Sequence, residues 1–257
     1  VKDEAQIRLS QKLVTIDCVV PIAMHLEEMA IKPPNAAVLT DLFKKLEFNR
    51  LLQDLVPIKA PSTLDQSRYK TVQTAADLST LLEKLAQEDL ISFDLETTSL
   101  KAVDALLVGM SFALPKEGGQ YYLPLGHVTG EPQLPLDATL ELLKPILEAE
   151  HIGKIGQNLK YDAMVLFNYQ IELKPIVFDT MIASYLTRPG GARHNLDALA
   201  MEFLQHQTIT FSDVTGKGAQ QKLFSEVAIG PATTYACEDA QVPLLIQKLL
   251  ADKLRET

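Results

Sequence analysis

The chain has 257 residues, 47% hydrophobic and 22% charged, with a net charge of -9 and two cysteines. That is enough apolar material for one large core, or one core with a smaller satellite domain, and it rules out a disulfide scaffold. No apolar run approaches a membrane span, and the acidic balance argues superficially against a nucleic-acid partner, whose phosphates need neutralising.

The polar start VKDEAQIRLS lacks the apolar stretch of a signal peptide, so the expected compartment is the cytoplasm, with no membrane association. Cys18 and Cys237 lie far apart and form no Cys-x-x-Cys pair, which reads as two reduced, inert thiols. A first residue of Val rather than Met suggests a chain cut from a longer one. The acid is unevenly spread: residues 69–150 carry five basic against thirteen acidic side chains. Such a region attracts divalent cations before a polyanion, although solvated helix faces account for most of those acids.

Residues 1 to about 56 read as helices. The clearest is NAAVLTDLFKKLEFNRLLQDL, where Leu39, Leu42, Phe43, Leu46, Leu51 and Leu52 form a stripe and Asn35 caps the start behind Pro33-Pro34. VPIKAPSTLDQS (56–67) reads as a linker, placing a domain boundary near residue 68 and dividing the chain into 1–67 and 68–257. Beyond it, YKTVQT predicts a short strand and Thr74 caps the helix AADLSTLLEKLAQED. LISFDLET, ALLVGMSFAL and GQYYLPL predict three successive strands, the last two joined by a turn at Lys116-Glu117-Gly118-Gly119. DATLELLKPILEAE predicts a helix that Pro145 kinks or splits. HIGKIGQ and PIVFDT then predict strands, and NLKYDAMVLFNY, TMIASYL, NLDALAMEFL and PATTYACEDAQVPLLIQKLLADKL predict helices. Pro243 should bend the last helix. The pattern is that of an α/β protein, a mixed sheet flanked by helices, with a small N-terminal helical segment.

In ISFDLETTSL, Asp94 and Glu96 stand two residues apart on a strand and therefore on one face. Two like charges there raise one another's pKa and lose hydration, unless a cation or a solvated edge offsets the cost. Asp162 falls in the first turn of a helix just after a strand, where α/β proteins place their sites; Asp239 and Tyr235 lie four apart on one helix face. If Asp94, Glu96, Asp162 and Asp239 converge, hard oxygen ligands suit Mg²⁺ or Mn²⁺. A pair of such ions clamps the attacking and leaving oxygens of a phosphoryl displacement. Each residue has an ordinary alternative. An Asp-x-Glu usually marks an exposed strand edge, an Asp in a first helical turn usually serves the macrodipole, and a Tyr and Asp four apart are usually surface residues.

The blocks FDLET, GQNLKYD and YACED, in this order and spacing, resemble the three motifs of the DEDD exonuclease superfamily in its tyrosine-bearing branch. From about residue 69 to 257 the chain is most similar to the 3′-to-5′ proofreading domains of bacterial DNA polymerase I, a likeness that KIGQNLKYD, FDTM, TITF and GKG extend. The first 56 residues, with LFKKLEF, resemble the last helices of the 5′-nuclease domain that precedes it.

This resemblance implies a ribonuclease-H-like fold and removal of nucleotides from the 3′ end of single-stranded DNA, in replication and repair, by a monomer using two ions, Mg²⁺ or else Mn²⁺ or Zn²⁺. It implies that Asp94, Glu96 and Asp239 bind one metal, that Asp94 and Asp162 serve a second, and that Tyr235 orients the attacking water. It also implies substrate contacts at Leu100, Asn158, Arg193 and Phe211. Gly190-Gly191 would give the Arg193 loop mobility, and the unmatched partner would be a polymerase domain of the full-length chain. On Asn158, Leu100, Phe211 and Arg193 the residues themselves leave a helix cap, two core positions and a surface arginine as alternatives. An RNA-trimming exonuclease of the same superfamily and an inactive single-strand-binding domain are the competing functions.

Overall fold

The computed structural model of the chain describes residues 3–21, 34–46, 48, 51, 64–190 and 193–256, the side chain of residue 44 aside. It divides into two compact units, Val1–Ile58 and Lys59–Thr257. The division falls before the expected boundary near residue 68. Leu64 is buried among residues of the second unit, and Gln66–Arg68 form a short 3₁₀ turn.

In the first unit, α1 (Glu4–Val14) buries none of its residues. Helix α2 is described as Ala36–Lys45, and Asn35 Oδ1 accepts from Val38 N at 3.3 Å at its start; of the rest of the expected run to residue 55 only residues 46, 48 and 51 are described, and residue 51 is helical. Among the described residues of the expected stripe Phe43 is buried and Leu39 half-buried, while Leu42, Leu46 and Leu51 are exposed. Pro33, Leu52 and linker residues 56–63 lie outside the described residues.

The second unit is built on six strands: β1 (Tyr69–Thr71), β2 (Leu90–Thr97), β3 (Leu107–Ala113), β4 (Gln120–Pro124), β5 (Gly153–Gly156) and β6 (Ile176–Asp179), in the order β1-β4-β3-β2-β5-β6. The β2-β3-β4 meander is antiparallel, and β1, β5 and β6 join it in parallel pairings, so the sheet is mixed as the alternation of elements implied. Helix α3 (Ala75–Leu85) starts where the Thr74 hydroxyl accepts from Asp77 N at 3.2 Å. Its Leu78, Leu81 and Leu85, spaced to share one face, are buried. Together with α4 (Leu136–Leu147) and α5 (Leu159–Asn168) it covers one sheet face, where Ile91, Phe93 and Leu95 of β2 point. Each such leucine contributes roughly 1.5–3 kcal/mol of hydrophobic stabilisation.

The other face carries Ser92, Asp94 and Glu96, and across it lies α9 (Ile229–Glu256). Ala232, Ala236 and Ala240 of α9 are fully buried, and their small side chains let the helix axis approach the strands closely. Helices α6 (Thr180–Thr187) and α7 (Leu196–Leu204) pack on the far half of α9 through Ala183, Leu199, Val242 and Ile246. A short α8 (Phe211–Thr215) and a 3₁₀ turn at Phe224–Glu226 complete the unit.

Both internal prolines are accommodated without splitting their helices, so of the two outcomes expected at Pro145 the division into two pieces does not occur. That residue is in the last turn of α4 on an exposed face, where water can serve the carbonyl of Glu141 that loses its partner. Helix α9 runs unbroken through Pro243. Among the described residues no helix is long and apolar enough to cross a membrane.

Candidate active site

Asp94 and Glu96 face α9 because of strand alternation, and α9 returns Asp239 to them. One carboxylate oxygen from each of these three residues lies within 4.8 Å of the other two. Glu96 is buried at 7% exposure, Asp94 and Asp239 are half-buried, and a buried Glu96 Oε1 has no hydrogen-bond partner. An orphaned carboxylate oxygen beside two further carboxylates is costly in a metal-free protein and is satisfied by a divalent cation. The donor set is all hard oxygen, so the residues present fit Mg²⁺ or Mn²⁺.

Asp162 reaches the site by a different route. The pairing of β2 with β5 ends at Ser92, beyond which the chain of β5 turns into α5. Leu95 N–H, left without a β5 partner, donates instead to Asp162 Oδ1 at 3.1 Å. Asp162 is thereby tied to the backbone between Asp94 and Glu96, outside the three-carboxylate cluster but close enough for its charge to act on Asp94.

Burial raises the pKa of all four carboxyls. For Glu96 and Asp239 the charge of Asp94 adds to that effect, and for Asp94 the charge of Asp162 does. Asp162 is pushed up to about 8 by burial, against the opposing pull of its backbone hydrogen bonds. The Tyr235 hydroxyl donates to the Asp239 carboxylate, and burial followed by the Asp239 charge drives its pKa far above the ordinary tyrosine value. In the metal-free site Tyr235 is thus held protonated, as a hydrogen-bond donor to Asp239.

The α5 start is unusual. Asn158 occupies the N-cap position with φ 60°, in the left-handed region, yet its side chain makes no capping hydrogen bond. Its N–H and that of Leu159 go to Asp179 at 3.1 and 2.7 Å. The same carboxylate caps α6 through Met181 N and Ile182 N. Asp179 therefore fixes two helix starts at once, a role the sequence reading did not assign, although an Asp directly before a helical run is an N-cap signal.

Of the remaining expected contacts, Leu100 is 98% exposed and Phe211 43% exposed, so neither is a core residue. Arg193 is exposed, and Gly191 of its loop lies outside the described residues. Tyr161, passed over in the sequence reading, bonds Ser99 O and the Thr97 hydroxyl, pinning the segment that leads to Leu100. Gly109 pairs with Glu96 across β2 and β3, and any β-carbon there would sit 2.2 Å from the Tyr122 hydroxyl. That hydroxyl is 2.7 Å from His127 Nε2, whose ring also meets Val227 O through Nδ1 at 2.9 Å.

A mixed sheet crossed by a helix that brings an aspartate to an Asp-x-Glu strand is the arrangement of ribonuclease-H-like exonucleases, and solved structures of that class share the fold. Escherichia coli RNase D, an exoribonuclease involved in structured RNA processing, is 15% identical with a TM-score of 0.54, covering 73% of this chain and 45% of that one. Brucella melitensis NrnC with bound Mg²⁺ is 21% identical with a TM-score of 0.51, covering 74% of this chain and 82% of that one. More particularly, residues 69–255 match the 3′-5′ exonuclease family, and the chain belongs to it. DNA polymerase I of Pseudomonas aeruginosa is 39% identical over 98% of this chain. The chain spans only 29% of that relative's length.

Proposed function

We propose that residues 68–257 remove nucleotides from the 3′ end of single-stranded DNA with the help of two divalent cations, as the proofreading portion of a DNA polymerase I. The observation that carries this reading is the meeting of Asp94, Glu96 and Asp239 around an unpartnered Glu96 oxygen. Those three residues would hold one ion, and Asp94 with Asp162 would serve the other. Bound ions of this kind polarise the phosphoryl oxygens and lower the pKa of water towards neutrality.

The chain's own groups do the rest. Tyr235, anchored on Asp239, keeps its proton and offers its oxygen to orient the attacking water. Asn158, whose side chain makes no cap bond, is free to meet the terminal nucleotide, and Arg193 to meet a phosphate. Leu100 would press on the terminal base, and Phe211 would stack on a base. Residues 1–67 are read as the end of a 5′-nuclease domain plus linker, supported by likeness to the Pseudomonas relative over nearly the whole chain. The partners on this reading are the 3′ end of a DNA strand and a polymerase region of the same polypeptide, in the cytoplasm, with no second copy required.

The test is release of nucleotide from a 3′-labelled single strand in Mg²⁺, its loss on chelation, and a matched RNA strand alongside. Strong preference for RNA would replace the DNA reading with an RNA-trimming one, and intact DNA in Mn²⁺ despite binding would leave only a binding domain. Asp239→Ala should abolish hydrolysis, by about 10³-fold or more, while Phe211→Ala should mainly raise KM.

A further inference from the structure

Phe224 has no part in the reaction as set out above, yet its ring stands between the two aromatic side chains that do. It is 2% exposed and opens the 3₁₀ turn Phe224–Glu226. Its centroid is 6.2 Å from that of Phe211 at an interplanar angle of 21°, and 5.7 Å from that of Tyr235 at 51°. Phe211 and Tyr235 also meet directly, edge to face, at 6.4 Å and 71°. These spacings fall within the range of attractive ring pairs. The three rings form a closed triangle, with one corner buried, one reaching Asp239 and one 43% exposed.

The buried corner is itself held from behind. The His127 ring lies 6.0 Å from Phe224, and both of its nitrogens are engaged, by the Tyr122 hydroxyl and by Val227 O of the loop that follows the turn. Val128 N donates to Ser225 O at 2.8 Å, fastening the turn to the same segment. Phe211 is held in register independently. Glu238, 1% exposed and next to Asp239 on α9, accepts from Ile209 N, two residues ahead of Phe211, and bonds His206 Nε2 at 2.9 Å. The exposed ring is thus seated on a fixed one, which also seats the tyrosine.

We infer that Phe224 is a positioning residue that couples base stacking on Phe211 to the placement of the Tyr235 hydroxyl, so that occupancy of the stacking surface and orientation of the attacking water are set by one buried ring. The inference rests on the proposed exonuclease reading, with Phe211 stacking a base and Tyr235 orienting water.

The experiment compares Phe224→Leu, Phe211→Ala, Tyr235→Phe and the double variant F211A/F224L. All are assayed on 3′-labelled oligodeoxythymidylate in Mg²⁺, with rates taken per folded molecule. Phe224→Leu should raise KM and also lower kcat, each by about 5- to 10-fold, whereas Phe211→Ala moves mainly KM. In the double variant KM should be no more than about 2-fold above that of F211A, because both changes remove the same stacking surface. A purely structural phenylalanine would lower the melting temperature and leave both constants unchanged, and that result overturns the inference. Should F224L fail to fold, F224M, which refills the volume with a flexible chain, is read by the same criteria. If Phe211→Ala and Tyr235→Phe are both indistinguishable from wild type, the roles given to those residues fail and the inference fails with them. If they act as stated while F224L does not, only the inference is lost.

Discussion

At the scale of single residues, the four carboxyls oppose the metal-free fold. A carboxyl whose pKa is raised on folding holds its proton more tightly in the folded state than in the unfolded one. The folded state is therefore most favoured where both states are protonated, and stability falls as pH rises from the unfolded value, 3.8 for Asp162, through its folded value of about 8. Without divalent cations the melting temperature should drop between about pH 5 and pH 8, and saturating Mn²⁺ should abolish most of that drop. A flat profile in calorimetry, with or without metal, would count against the cluster. By the same reasoning Glu96→Gln, which removes a carboxyl whose ionisation burial opposes, should stabilise the metal-free protein at pH 8 while weakening its response to Mn²⁺.

At the scale of elements, the site is held by junctions more than by helices or strands themselves. Asp179 accepts from four backbone N–H groups at the starts of α5 and α6, and α5 carries Asp162 in its first turn. Asp179→Ala leaves those donors without their carboxylate and should cost about 2–4 kcal/mol in urea denaturation. A loss under about 0.5 kcal/mol would mean that solvent replaces the carboxylate freely. Helix α9 shows the same economy, since one face of small residues sets its distance from the sheet while Tyr235 and Asp239, one turn apart, meet the site.

At the scale of the whole molecule, the charge and the division into units carry the expectations. The second unit contains the matched family region and the described catalytic candidates, so a fragment of residues 59–257 should melt in one cooperative transition and retain hydrolysis. Two separated transitions in that fragment, or loss of hydrolysis despite folding, would show that the first unit is required. With a net charge of -9, binding of a single strand should be weak and should fall further as salt rises, which a titration by fluorescence anisotropy at several salt concentrations measures.

Much of the site was legible in the chain itself. Alternation puts Asp94 and Glu96 on one strand face, helical spacing joins Tyr235 to Asp239, and Thr74 announces its helix, because these relations depend on backbone periods of two and 3.6 residues. The three motifs resembling an exonuclease were equally plain in the sequence, and the family match agrees with them. Tertiary structure alone decided that Leu95 N–H loses its β5 partner and so recruits Asp162, and that Asp179 serves two helices. It alone decided that Pro145 leaves α4 whole, that Leu64 is buried where a linker was expected, and that Phe211, Phe224 and Tyr235 form one stack. Local periodicity says which way a side chain points on its own element. Which group it meets there depends on where strands stop pairing and how closely helices approach, and those distances are set by packing between segments far apart in the chain.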